Sequence, residues 1–349
     1  MRILITGAAG FIGSRLAEWI LSTYPHAKVF GVDNFASGFK ENVPAGVRFE
    51  YCDLANYASR VCYGCNGGKW RGNSEWMETC PICDGNGANS FDYVFHCAAF
   101  AAEVLSPFVR EHTYRNNLVG SAALLNNVLA TGCKRLVFLS SVAVYGHVDP
   151  PFRECDPCFP IDPYGISKAA FEMDLNNAGE QHGLDWCALR LFNVYGPGQS
   201  LWNQHRNVFG IWMRQKLEGK PLTVFGDGSC ERAFTYIDDI LPAIWNAGIN
   251  PAASRQVINV GSPLPVYINS ALTECMSVIG KSEVEYKEGR HEVRSAYCDV
   301  SKSQALLKAQ TPTNLRDGLT AMWEWAQETW SKYPERRSHK GPPIELRSR

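Results

Sequence analysis

The 349-residue sequence contains no apolar stretch approaching the about 20 residues that a membrane-spanning helix requires. Its opening, Met-Arg-Ile-Leu-Ile-Thr-Gly, lacks the layout of a secretory leader. Net charge is nearly absent: 34 Lys and Arg oppose 35 Asp and Glu, leaving −1. That balance argues against a general affinity for nucleic acid or anionic membrane. There is no internal repeat and no low-complexity tract. Charged residues make up only 20% against 45% hydrophobic, which excludes a mainly disordered chain. At about 100–200 residues per domain, the length predicts two domains or one large two-lobed unit, here expected to be cytoplasmic.

Cysteine, by contrast, is plentiful, with 13 residues. A disulfide framework normally belongs to a much smaller secreted chain. Four of the cysteines form two Cys-x-x-Cys pairs, Cys62/Cys65 and Cys80/Cys83, each followed closely by glycine. Four thiolates in that arrangement suit tetrahedral Zn²⁺ and leave no open position for catalysis. So polar and Gly-rich a segment has no core of its own, and the metal would supply its folding energy. The spacing therefore predicts a structural zinc knuckle within about residues 59–90. Cys155 and Cys158 form a lone pair, read as free thiols, and His96 is read as structural.

Short apolar runs at 2–6, 28–32, 47–51, 93–96 and 135–140 alternate with helical patterns at 14–22 and 107–131. This alternation predicts an α/β fold: a Rossmann-type doubly wound parallel sheet with ligands beyond the carboxyl ends of its strands. Asp33, Asp53, Ala98 and Ser141 stand at that edge. After Leu189 the pattern loosens and Pro and Gly become frequent. The expected organisation is a Rossmann domain over 1–188, a smaller α+β substrate lobe over 189–330 and a flexible basic tail over 331–349.

Gly7-x-x-Gly10-x-x-Gly13 follows the first strand and opens a helix, whose free N–H groups suit a pyrophosphate. Asp33 ends the next strand, 20 residues past Gly13. A carboxylate there binds ribose hydroxyls and repels a 2′-phosphate, which favours NAD. Tyr164 and Lys168 stand at i and i+4, on one helix face, and Pro163 suits the helix start. A nearby ammonium favours the phenolate, making Tyr164 an acid/base candidate. Ser141, at a strand end, could bind the same substrate oxygen.

With these residues in place, the sequence resembles the extended short-chain dehydrogenases/reductases, and within them nucleotide-sugar epimerases of the UDP-galactose 4-epimerase type. The landmarks are TGAAGFIG (6–13), HCAA (96–99), NNLVGS (116–121), SSVAVYG (140–146), YGISK (164–168), RLFNVYGPGQ (190–199) and FGDGSCERAFTYIDD (225–239). The resemblance implies a catalytic triad of Ser141, Tyr164 and Lys168. It implies cofactor contacts from Gly7, Gly10, Phe11, Ile12, Gly13, Asp33, Asn34, Asp53, Leu54, Cys97, Ala98, Ala99, Asn117, Tyr164 and Lys168. On the substrate side it implies Asn193, Arg232 and Arg290 at the diphosphate and Ala296 as a gate on sugar size. It further implies a homodimer through the 107–131 and Tyr164 helices.

The implied reaction is C4 epimerisation of a UDP-sugar, UDP-Glc/UDP-Gal or UDP-GlcNAc/UDP-GalNAc. Tyr164 takes the sugar hydroxyl proton, the C4 hydride passes to NAD⁺, the 4-ketose turns over, and hydride and proton return. Related dehydratases carry an acidic pair where this chain has Val142 and Ala143, which disfavours dehydration. The alternatives are another 4-keto reaction, namely UDP-glucuronate epimerisation, reduction or decarboxylation, or a non-catalytic NAD-binding scaffold.

Overall fold

The computed structural model describes residues 1–57, 90–203, 207–289 and 293–338. Its centre is a sheet of seven parallel strands: β1 (Arg2–Thr6), β2 (Lys28–Asp33), β3 (Arg48–Tyr51), β4 (Tyr93–His96), β5 (Arg135–Ser141), β6 (Trp186–Leu191) and β7 (Gln256–Val260). They run in the order β7-β6-β5-β4-β1-β2-β3. The progression reverses between β1 and β4, which opens a crevice above their carboxyl ends. β5 and β6 are buried along their whole length, as expected of strands covered on both faces.

Four helices provide that cover. On one face, α1 (Phe11–Thr23) contributes Leu16 and Ile20, which join Ile240, Ile244 and Trp245 of the later helix Ile237–Ile249. On the other face lie α2 (Gly120–Thr131) and α3 (Pro163–His182), with Leu124, Val128, Phe171 and Leu175 turned inward. A helical turn Arg110–Tyr114 and a π-turn Arg115–Val119 lead into α2, so the helical pattern at 107–131 is real but interrupted. The start of α3 is well specified. The Asp162 carboxylate accepts from Gly165 N and Pro163 takes the first helical position; Gly183 then ends the helix at φ +70°.

Two boundaries differ from those expected. A division at 188/189 falls inside β6, and β7 returns to the sheet from beyond it, through the helix Ile237–Ile249, here α4. The small lobe is therefore assembled from segments on both sides of β7. Its core gathers Phe209, Trp212, Leu272, Cys275, Leu319 and Met322. The short apolar run of β7 lies among loose Pro/Gly-rich sequence, which concealed it. The second difference is at the C-terminus. Helix α5 (Leu315–Lys332) and a 3₁₀ turn (Pro334–Ser338) carry ordered chain past residue 331, and Arg336 is buried. No helix among the described residues is long and apolar enough to cross a membrane.

Arg135 fastens α4 to the sheet. Its guanidinium donates to Ala247 O at 3.0 Å and Asn250 O at 2.5 Å, and pairs with Asp185 at 2.8 Å. It thereby satisfies carbonyls at the end of a helix. Arg135→Met should lower the unfolding free energy by about 3 kcal/mol, because Asp185 and these carbonyls lose their partner. Urea denaturation measures this, and a change within 0.5 kcal/mol (about the scatter of surface substitutions) contradicts it.

Candidate active site

One cavity of about 1150 Å³ follows the crevice from the glycine turn, past Tyr164, to Arg232 in the small lobe. Pockets for a single drug-sized ligand run to about 300–1,000 Å³, so this cavity is larger than one such pocket.

The cofactor half is built by the β1–α1 turn. Gly7 has φ +71°, and a Cβ there would lie 2.7 Å from Ala98 N; at Gly13 it would lie 2.2 Å from Gly7 O. Only glycine permits a turn this tight. Gly10 precedes α1 without a side-chain cap, and Gly10, Phe11, Ile12 and Gly13 all line the cavity. The uncapped first turn is thus presented to whatever binds, which suits a pyrophosphate. Asp33 accepts from Ala9 N at 3.0 Å and Phe35 N at 2.7 Å, leaving lone pairs on both oxygens for ribose hydroxyls. Burial pushes its pKa upward against these hydrogen bonds. Asp53 caps the next turn through Ala55 N and pairs with Arg115 at 3.1 Å. Asn34, Leu54, Cys97, Ala98 and Ala99 complete the lining. These residues fit NAD.

Asn117 does not belong to that lining. Its amide is used up on the backbone of Phe100 and on Ser167 Oγ, propping the 97–100 segment. Its neighbour Asn116 faces the cavity and accepts from Asn34 Nδ2 at 3.1 Å. Adjacent helical residues point about 100° apart, so choosing between two asparagines needs a register that the sequence does not supply.

Tyr164 and Lys168 lie one helical turn apart on α3, both lining the cavity. Lys168 Nζ donates to Leu139 O at 2.6 Å and stands 5.8 Å from the centroid of the Tyr164 ring. Burial pulls the Lys168 pKa down to about 7, against the opposing influence of Cys97 and Glu172. The Cys97 thiol is pushed up to about 12 by burial. Ser141 Oγ accepts from Ala143 N at 3.2 Å, which leaves its O–H to donate elsewhere.

The preceding Ser140 bonds instead to the carboxylate of Glu172, which pairs with Arg190 at 2.6 Å. Arg190 also stacks 4.6 Å over Tyr145, whose hydroxyl donates to Asn259 on β7 at 2.7 Å. This network ties β5, α3, β6 and β7 together behind the site, and sequence reading missed it. The available signal was Glu172, one turn beyond Lys168 on the same helix. His96 is structural: it is buried, bonded to Thr6 Oγ1 at 2.7 Å and Ser121 Oγ at 2.8 Å, and burial pulls its pKa down to about 3.

In the small lobe, Asn193 has φ +43° and donates to Ala233 O at 3.0 Å. Arg232 and Ala296 stand opposite each other on paired strands, Glu231–Ala233 and Ser295–Ala296, and both line the cavity. Arg232 Nη1 donates to Glu231 O and Arg294 O. Arg290 and the four knuckle cysteines, Cys62, Cys65, Cys80 and Cys83, lie outside the described residues. Among the described residues no cluster of His, Cys, Asp or Glu could hold a metal ion, and Cys155 and Cys158 are free thiols.

Comparison with known proteins agrees with this geometry. A UDP-glucuronate 4-epimerase of Thermodesulfobacterium geofontis is 30% identical over 343 residues, 93% of this chain and 96% of the relative. The crystal structure of Thermotoga maritima UDP-glucose 4-epimerase with UDP-glucose superposes with a TM-score of 0.81 at 30% identity, covering 94% of this chain and 99% of that one. A UDP-N-acetylglucosamine 4-epimerase from Methanobrevibacter ruminantium, in complex with UDP-N-acetylmuramic acid, gives 0.79 at 26% identity, covering 94% and 98%. The NAD dependent epimerase/dehydratase family model matches residues 3–63 and 82–261, leaving 64–81 as a segment outside the family pattern. With its glycine turn, Asp33 and Tyr164/Lys168 pair around one cavity, the chain is an enzyme of the NAD dependent epimerase/dehydratase family.

Proposed function

We propose that this enzyme interconverts the C4 epimers of a UDP-sugar through a 4-keto intermediate, with Tyr164 as acid/base. The observation that carries this reading is that Ser141, Tyr164 and Lys168 line the cavity between the glycine turn and Arg232. NAD supplies, when bound, the hydride acceptor and donor at C4. Tyr164 as phenolate takes the C4 hydroxyl proton and later returns it, while Ser141 donates to the same oxygen and fixes its position. Lys168 holds positive charge beside the phenolate. Arg232 pairs with the diphosphate, a match for a guanidinium fork, and Asn193 contacts the same group. Val142 and Ala143 line the cavity without a proton to transfer, which supports epimerisation over elimination of water.

The relatives act on glucose, glucuronate and N-acetylglucosamine derivatives, so the sugar must be argued from this chain. Ala296 is small and lines the cavity with the apolar Ala143, Phe152 and Val293. A small residue at that wall would leave room for an acetamido methyl group, which supports reading UDP-GlcNAc alongside UDP-Glc as substrates.

The Cys62/Cys65/Cys80/Cys83 set is proposed to hold one structural zinc, on the strength of its spacing and of the unmatched 64–81 segment. A homodimer through the 107–131 segment and α3 is proposed because Val119, in the π-turn before α2, and Ile166 and Met173 of α3 are exposed, the last at 74%. Ile166 and Met173 stand seven residues apart on one face of α3.

Incubating the purified enzyme with UDP-Glc, UDP-GlcNAc or UDP-GlcA and following products by proton NMR tests the reaction. The C4 epimer of UDP-GlcNAc should form, and Tyr164→Phe should slow it by about 10³-fold with NAD still bound. No C4 epimer from any substrate contradicts the reaction, and conversion of UDP-GlcA alone contradicts the sugar.

Lys168 links the site to stability. In the unfolded chain its pKa is the ordinary 10.5, so between about 7 and 10.5 the unfolded state holds a proton that the folded apoprotein has released. Stability from this group therefore rises with pH across that window, and below it the buried cation exerts its full cost. Lys168→Met should melt above the parent apoprotein near pH 6, with the gain shrinking towards pH 10. A gain independent of pH contradicts this.

Native mass spectrometry reads the remaining two proposals together, with two chains and one zinc per chain expected. A monomer contradicts the interface, and a metal-free mass contradicts the knuckle.

A further inference from the structure

We infer that the C-terminal turn Tyr333–Ser338 is a brace that retains the cofactor, with Arg336 as its positioning residue. The inference rests on the NAD-binding reading of the cavity. It begins from an oddity of burial: Arg336 lies in a basic terminal stretch expected to be solvated, yet only 6% of it is exposed. Its guanidinium lies over two rings, 4.1 Å from the centroid of Phe39 and 3.8 Å from that of Tyr333. It also donates to Glu41 Oε2 at 2.6 Å. A planar guanidinium can stack on aromatic rings and pair at its edge, which an ammonium cannot do.

Phe39 and Glu41 belong to the loop that follows Asp33, and that loop is stitched to the glycine turn. Phe39 N and Asn42 Nδ2 both donate to Ala9 O, at 3.2 and 3.0 Å. A Cβ on Gly38 would lie 2.5 Å from Ala9 O, so the two backbones are in close contact. Ala9 N in turn donates to the Asp33 carboxylate. Ser37 and Gly38 line the cofactor half of the cavity. A small crevice beside Arg336 is lined by Gly10, Phe11, Ser37 and Phe39 as well. Arg336 therefore fixes the outer side of a loop whose inner side touches the cofactor site, from 295 residues away in sequence. Released, the 34–42 loop would lose its outer support and keep its contacts to Ala9, Asn116 and Phe49, and the cofactor would leave more readily. An epimerase that regenerates its NAD at each turnover gains from such retention.

NAD dissociation from the holoenzyme, followed after rapid dilution, tests this. Arg336→Ala should raise the NAD dissociation rate and Kd about tenfold, while kcat at saturating NAD and the sugar KM stay at parental values. Arg336→Lys, which keeps the charge but loses the planar stack, should fall between. Glu41→Gln alters an exposed carboxylate and should also weaken NAD, which keeps the test valid should Arg336→Ala fold poorly. NAD binding unchanged in Arg336→Ala and Glu41→Gln, with only a lowered melting temperature, overturns the brace. A parent enzyme that binds no NAD overturns the cofactor reading instead.

Discussion

One ammonium group, buried against the carboxyl end of a strand, sets the terms for the rest of the site. Lys168 is held by the carbonyl of Leu139 in a place where burial alone would drive off its proton. An isolated charge there is expensive, and it survives only where a compensating negative charge comes and goes. In the proposed reaction a phenolate on Tyr164 is such a charge. The surrounding structure keeps the pair in register. Asp162 and Pro163 start the helix at the right residue, and Ser106 accepts from Tyr164 N and donates to Asp162. Glu172 and Arg190 hold the far side of the same helix to β5 and β6.

The residues that sequence alone located are those fixed by local geometry. A strand, a glycine turn and a helix leave little freedom, so Gly7, Gly10, Gly13 and Asp33 were readable, as was the Tyr164/Lys168 pair one turn apart. What sequence concealed depends on contacts between distant segments. β7 joins the sheet from beyond the small lobe, although nothing local marks QVINV as a central strand. Asn116 and Asn117 are chemically identical, and only the helix register decides which meets the cavity. Arg336 looks like part of a basic tail until Phe39 and Tyr333 are seen packed against it. The Glu172–Arg190 pair was half legible, because spacing marks Glu172 but not its partner on β6.

The small lobe shows how one reaction centre could serve different sugars. Arg232 and Ala296 face each other across paired strands, so the proposed phosphate anchor and the proposed size gate share one support. On that proposal, changing the gate leaves the anchor and the Tyr164 wall in place. Relatives named for glucose, glucuronate and N-acetylglucosamine derivatives share this fold, which fits a division between a fixed chemical half and a variable sugar half.

The central claim is that hydride leaves C4 and returns to C4 within one active site. Its most direct test is to supply a UDP-sugar substrate carrying deuterium at C4, in ordinary water, and to read the isotope in the product by NMR and mass spectrometry. The account predicts that the C4 epimer keeps its deuterium at C4. Deuterium lost to solvent, or an epimer formed at another carbon with C4 untouched, would contradict it.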